Sequence, residues 1–370
     1  MNPSTICILG AYGGAGRALA PLLLRHTSCS LILAGRRLPE AQALAAELRT
    51  AFPGRRIEAR HGDAADPASL RHAFEGAGLV LAAATIPEYA GTAARAALDA
   101  GADWLDIMIS PEVRKQLRSL EPELIRQGRC CITQAGFHPG FAAPLIRWAA
   151  PAFSRFDDAQ LAMTMNMRLQ DPAAAREIVE EGYRFRGEVL RSGAWQPAYL
   201  RDSITADFGP PAGTRSCLPL PMEELHGLET RLGIRNMGVY VSGFNWFVDQ
   251  VVFSLIYMAG MIRPGLFRRS FQRLFRWGLH RFSPESPWLM LQLDAAGERS
   301  GQPVRRRIRI SHPDPYLFTA GCVLGCLRTC SPEAGIPPGL HLAGQAADPE
   351  TMMATLRDLG IRIEVQETGG

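Results

Sequence analysis

The sequence predicts an α/β fold whose first third is a doubly wound parallel sheet, and three observations carry that reading. Apolar strand-like runs alternate with helical segments as far as residue 133. A glycine-rich turn stands between the first strand and the first helix. The chain has 370 residues, more than one hydrophobic core of roughly 250–300 residues supports, so a second domain must follow.

The strand-like runs fall at residues 6–9, 31–34, 57–60, 79–83, 104–107 and 130–133. Amphipathic or alanine-rich stretches at 15–26, 39–50, 67–74, 88–100 and 111–127 lie between them. Strand and helix at this rhythm predict parallel strands joined by right-handed crossovers, with ligands at the carboxyl ends of the strands. The first strand runs into Gly10-Ala11-Tyr12-Gly13-Gly14-Ala15-Gly16, and Arg17-Ala18-Leu19-Ala20 continues as helix. Gly10 suits the tight turn, Gly13 lets backbone approach a pyrophosphate, and Gly16 permits close helix–strand packing. The helix start then offers free N–H groups and a positive dipole end. This is the Rossmann arrangement for a dinucleotide, and Tyr12, Gly14 and Ala15 join the candidate contacts.

The end of the second strand selects the dinucleotide. An acidic residue there would bind both ribose hydroxyls of NAD. Ala34-Gly35-Arg36-Arg37 instead presents two guanidinium groups, suited to a 2′-phosphate. NADP(H) is the expected cofactor; the plainer alternative is a pair of solvated arginines. Asp63, after the third strand, is placed to accept from the adenine amino group. Ala84 and Thr85, after the fourth, leave room beside the nicotinamide ribose.

These residues, with 97–106 (Ala-Leu-Asp-Ala-Gly-Ala-Asp-Trp-Leu-Asp) and Gly136-Phe137-His138-Pro139-Gly140-Phe141, resemble the saccharopine dehydrogenase-like oxidoreductases. Residues 351–362 resemble the closing helix and strand of that family. The resemblance is dense to about residue 150, returns after about residue 312, and is thin between. It implies a Rossmann domain over 1–140, an α+β substrate and dimerisation domain over 141–315, and a segment 316–370 that packs back on the first domain. It also implies a homodimer, a cleft between the domains, and hydride transfer at a C=N or C–N bond of an amino-acid- or polyamine-like substrate.

The middle segment does not read as a site for a charged amino acid. Residues 251–262 form an apolar run, and 266–282 place Phe267, Phe271, Leu274, Phe275 and Phe282 at helical spacing between arginines. Such a basic amphipathic stretch suits a membrane surface or a lid on an apolar pocket; a core helix with a solvated arginine face is the plainer account. The alternative function is therefore C=C reduction on an apolar acyl chain, as in the similar trans-acting enoyl reductases. A third possibility is a scaffold or redox sensor that binds NADP without turning it over.

Two residues are candidates for the chemistry. His138, in the turn after the sixth strand, is placed to donate a proton or orient substrate. Asp106, ending the fifth strand, is placed to anchor an amine or cap the next helix. Tyr89 and Met108 lie nearby, with packing their expected role.

Composition removes other classes. Hydrophobic residues make up 47%, charged residues 21%, and the formal net charge is +4, values of an ordinary globular protein without a nucleic-acid partner. Lys115 is the single lysine and sits on a polar helical stretch, which disfavours lysine-dependent catalysis. The first strand follows no charged, apolar leader pattern, and 251–262 is too short to span a bilayer, so a cytoplasmic protein is expected. Cys322, Cys326 and Cys330 share a helix face, and Cys130-Cys131 is a vicinal pair in a strand. Without separate ligand pairs, these read as small buried residues, and no metal is expected. Residues 209–221, with four prolines, read as a loop near the domain junction.

Overall fold

The computed structural model describes residues 4–166, 172–183, 186–329 and 336–369. The chain divides into two compact units, one of residues 1–141 with 316–356 and one of 142–315 with 357–370.

The first unit begins β1 (Thr5–Leu9), α1 (Gly14–His26), β2 (Ser30–Gly35), α2 (Leu38–Ala51), β3 (Ile57–His61), α3 (Pro67–Phe74), β4 (Leu79–Ala82) and α4 (Ala90–Asp99). It continues with β5 (Asp103–Asp106), α5 (Pro111–Arg118), α6 (Glu121–Gln127) and β6 (Cys130–Thr133). The second unit follows: α7 (Ala142–Ala149), β7 (Arg155–Asn166), α8 (Pro172–Tyr183), β8 (Gly187–Arg191), β9 (Ala194–Ala198), β10 (Ile204–Asp207) and β11 (Thr214–Leu220). After these come α9 (Leu228–Leu232), β12 (Asn236–Ser242), α10 (Phe253–Ile262), α11 (Arg268–Phe282), β13 (Trp288–Arg299) and β14 (Gln302–His312). The chain closes with α12 (Pro315–Thr329), β15 (Gly339–Leu342), α13 (Ala343–Ala346), α14 (Pro349–Asp358) and β16 (Arg362–Gly369).

In the first unit all seven strands are parallel, in the order β15-β6-β5-β4-β1-β2-β3. The order reverses at β1: β2 and β3 build outward on one side, β4 to β6 on the other. A crevice at the carboxyl ends of β1 and β4 is the geometric result. β1, β2, β4 and β6 are nearly continuous apolar runs because helices cover both faces, whereas the edge strand β3 is Ile-Glu-Ala-Arg-His and only partly buried. Phe74, Trp104 and Leu117 are buried in one of the resulting cores.

The predicted helix over 111–127 is two helices. Pro122, in the first turn of α6, has no N–H to give the preceding turn and cannot continue α5.

The second unit carries a mixed sheet, β10-β11-β12-β7-β13-β14-β16, with β8 paired to β12 and β9. Only β7 and β12 pair in parallel; β13 and β14 form a long hairpin. Its two-residue turn, Ser300-Gly301, has positive φ at both positions (52° and 78°), as a type I′ turn requires.

Two boundaries differ from the sequence expectation. The stretch expected as a loop at 209–221 contains β11, which pairs with both β10 and β12. Pro210 and Pro211 precede the strand and only Pro219 interrupts its ladder, so proline content overstated the loop. The expected return of 316–370 to the first unit ends at 356. Residues 357–370 belong to the second unit because β16 pairs along β14 from Arg362 to Gly369.

Cys322 and Cys326 are buried in α12, and Cys130 and Cys131 are buried in β6; Cys330 lies outside the described residues. No group of side chains able to hold a metal occurs among the described residues. No helix among them is long and apolar enough to cross a membrane.

Candidate functional site

The crevice between β1 and β4 is built around the glycine turn. Gly10 has φ +86°, and a Cβ there would lie 2.7 Å from Ala84 Cβ. Any other residue would be strained twice, by backbone and by neighbour. The contact also shows how closely the two strand ends approach: Ala83 N–H donates to Leu9 O at 2.9 Å. At Gly16 a Cβ would meet Gly10 O at 2.4 Å, so α1 can start this close to β1 only with glycine there. Gly13 stands at the N-cap of α1 with no side-chain cap. The first N–H groups of α1, from Gly14 to Gly16, therefore keep the donors that a helix start leaves without intrahelical partners.

Tyr12 ties the turn to the end of β2. Its hydroxyl accepts from Arg37 N–H at 2.9 Å, and its ring occupies the space over Gly35, where a Cβ would lie 2.5 Å away. The Arg37 guanidinium lies 4.9 Å from the ring centroid and pairs with Glu40 at 3.0 Å. Arg37 is thus fixed in place. Arg36 is exposed and makes no ion pair among the described residues, which leaves its guanidinium available for a ligand.

Ala84 and Thr85 lie half-buried at the end of β4. Asp63 stands beyond β3, its N–H donating to Ser69 Oγ at 2.9 Å and its Oδ1 accepting from Ala65 N–H at 3.1 Å. One carboxylate oxygen is therefore committed to shaping the loop.

Two residues here escaped the sequence reading. Tyr316, at the start of α12, packs its ring over Gly14, where a Cβ would come within 2.4 Å. Nothing local around 312–316 signals this, because the contact joins positions some 300 apart in sequence. Gln134 adopts φ 62°, a conformation that costs a non-glycine residue about 1–3 kcal/mol. Its strain is invisible in the letters of the sequence.

At the carboxyl ends of β5 and β6, Asp106 is completely buried. It accepts from Trp104 Nε1 (2.8 Å), Met108 N–H (3.1 Å), Thr133 Oγ1 (3.0 Å) and Gln134 N–H (3.4 Å). Burial pushes its pKa up to about 6 against the pull of these four bonds. The carboxylate knits two strand ends together. It closes the turn after β5 through Met108 N–H and does not cap the following helix, whose N-cap is Ser110.

His138 lies in the following turn, joined to Pro139 by a cis peptide bond. Phe137 and Phe141 flank it, both edge-on to Phe318 of α12 at 5.8 and 5.4 Å. The Nδ1 of His138 and the Oε1 of Gln134 are buried without a hydrogen-bond partner. Burial pushes the His138 pKa down to about 4, so the ring is neutral at neutral pH. Tyr89 is exposed at the same edge, and Met108 is buried and packs.

Comparison with known proteins agrees with this geometry. Residues 6–132 match the family model described as the saccharopine dehydrogenase NADP-binding domain. Among solved structures, the chain is similar to apo saccharopine dehydrogenase (L-Glu forming) from Saccharomyces cerevisiae. The TM-score is 0.71 at 14% identity, over 99% of this chain and 100% of that one. A short-chain dehydrogenase/reductase from Veillonella parvula in complex with NADP also matches, at 22% identity over 29% of this chain and 48% of that one. Its TM-score is 0.26, too low to carry an argument. No curated protein sequence matches.

The fold and the crevice define an NAD(P)-dependent oxidoreductase, with NADP(H) its cofactor. Over residues 6–132 the chain matches the NADP-binding domain of the saccharopine dehydrogenase family, and its fold is that of a solved saccharopine dehydrogenase.

Proposed function

We propose that the protein transfers hydride between NADP(H) and a C=N or C–N bond of an amino-acid- or polyamine-like substrate. The observation that supports this reading is the pair of buried polar atoms without a partner, Gln134 Oε1 and His138 Nδ1; with the imidazole proton on Nε2, both are acceptors. A buried acceptor left empty costs about 1–3 kcal/mol, and an N–H of an iminium or amine would satisfy it. In this reading the glycine turn from Gly10 to Gly16, with Tyr12 and Ala15, holds the pyrophosphate. Arg36 takes the 2′-phosphate against the Tyr12–Arg37 platform, Asp63 faces the adenine, and Ala84 and Thr85 pass the nicotinamide ribose. The cofactor held there would supply the hydride.

His138, neutral at working pH, orients the substrate nitrogen by accepting its N–H. A protonated C=N bond that gains a hydride becomes a neutral amine, so the step requires no separate acid. Asp106 acts through Gln134 and Thr133 as a positioning residue. All seven described cysteines are buried.

A second reading, C=C reduction of an apolar acyl substrate, draws on one observation: Asp106, the expected amine anchor, is buried and engaged by four donors. The test is NADPH oxidation followed by nicotinamide absorbance with imines and with enoyl thioesters. Turnover of imines is expected, and His138→Phe should lower kcat roughly 10- to 100-fold, the worth of one charge-assisted hydrogen bond, with NADPH affinity unchanged. Turnover of enoyl thioesters alone would select the second reading.

A further inference from the structure

Helix α10 is Phe-Ser-Leu-Ile-Tyr-Met-Ala-Gly-Met-Ile, without a charged residue anywhere around it. A helix apolar on every face belongs inside a core or a membrane. Here Ile256 and Ala259 are buried, yet Met258 is 49%, Met261 68% and Ile262 79% exposed. Phe267, which opens α11, is 65% exposed and held at φ 58°. Large apolar side chains gathered at one tip are uncommon on a protein that keeps its surface in water.

The charges that α10 and α11 themselves carry have one sign. From residue 251 to 284 there are six arginines, Arg263, Arg268, Arg269, Arg273, Arg276 and Arg281, and no acidic residue. The tip is also preorganised from below by α8. Tyr183 Oη donates to Leu266 O, and Arg268 pairs with Glu180 at 2.6 Å. Behind it, Phe271, Phe275 and Leu279 anchor α11 in the core of the second unit. The helix therefore uses its apolar face for folding, and the exposed side chains at the tip are additional to it.

The geometry points to an anionic lipid surface as the occupant: the α10–α11 tip inserts Met261, Ile262 and Phe267 at the headgroup level while the arginines meet lipid phosphates and carboxylates. A second copy of the chain fits less well. A two-fold contact is isologous, so it would set two arginine-rich tips against each other, with Glu180 already engaged by Arg268 of its own chain.

This inference is independent of the proposed chemistry, since vesicle binding is read without turnover. Full-length protein is sedimented with phosphatidylcholine vesicles, with and without phosphatidylserine. Its oligomeric state is measured by analytical ultracentrifugation, and its fold is checked by circular dichroism. Binding only to the phosphatidylserine vesicles, weakening with added salt, is expected. The double variant Ile262→Ser, Phe267→Ser should bind at least about tenfold more weakly. Arg269→Gln and Arg273→Gln should each cost about fivefold on anionic vesicles. Absence of vesicle binding by the folded wild type, or undiminished binding by the double variant, would overturn the assignment. So would a wild-type dimer that the double variant dissolves, which would make the tip a subunit interface.

Discussion

Arg36→Ala should weaken NADPH binding by on the order of 10- to 100-fold and leave NADH binding unchanged. The size follows from losing one or two charge-assisted hydrogen bonds to a phosphate dianion. The selectivity follows because NADH carries no group at that position. Arg37→Ala should behave differently. Arg37 is stacked on Tyr12 and paired with Glu40, and Tyr12 is part of the turn proposed to hold the pyrophosphate. Its removal loosens the turn itself, so NADPH and NADH should both weaken by a few-fold. Titration of each variant with both nucleotides, followed by cofactor fluorescence, separates the two roles. Equal losses for NADPH and NADH in Arg36→Ala would remove Arg36 from the 2′-phosphate site.

Asp106→Ala should cost about 3 kcal/mol of stability, because it leaves four buried donors without an acceptor, partly offset by relief of the buried charge. For a unit of this size that is a fall in melting temperature of roughly 6–12 °C. Asp106→Asn should fall between, since the amide keeps one acceptor oxygen but turns its NH2 toward a donor.

The same residue has a pH signature. Its native pKa, about 6, lies above the ordinary 3.8. The native state therefore holds the extra proton between those values, and stability from this group rises as pH falls through 6. His138 works the other way. Its native value of about 4 lies below 6.5, so its contribution is lost as pH falls from 6.5 toward 4. Each amounts to at most about 3 kcal/mol, and the two offset across their overlap. Denaturant melts on either side of pH 6 should show a shallow dependence for the wild type. Asp106→Asn should lose stability steeply on acidification, and His138→Asn should gain it. Parallel curves for all three proteins would show that neither group titrates in this window.

Much of the first unit is legible in the sequence because its signals are local. Most strands from β1 to β6 are short apolar runs, and several helices open at a proline or cap the sequence displays, such as Asp66-Pro67 and Ser110-Pro111. The glycine turn and Arg36-Arg37 are contiguous, so their chemistry reads directly from neighbouring letters once the strand before them is recognised. The Pro122 break inside 111–127 is also written in the sequence, where the proline overrides the amphipathic period.

What the tertiary structure alone decided are relations between distant residues. The sequence could place Asp106 and Thr133 at strand ends, but only parallel pairing across β5 and β6 brings the carboxylate to four donors and makes it a tie between the two strand ends. It could not bring Tyr316 over Gly14, because that contact depends on the chain returning after the whole second unit. Nor could it assign β16 to the second sheet, since an isolated strand carries no mark of its partner. The aromatic period over 266–282 showed that α11 has an apolar face. Which of those side chains that face buries, and that Phe267 with Met261 and Ile262 stays outside, was settled by packing against the rest of the unit. Sequence fixes local conformation through caps, turns and period; burial is set by neighbours that the chain brings from elsewhere.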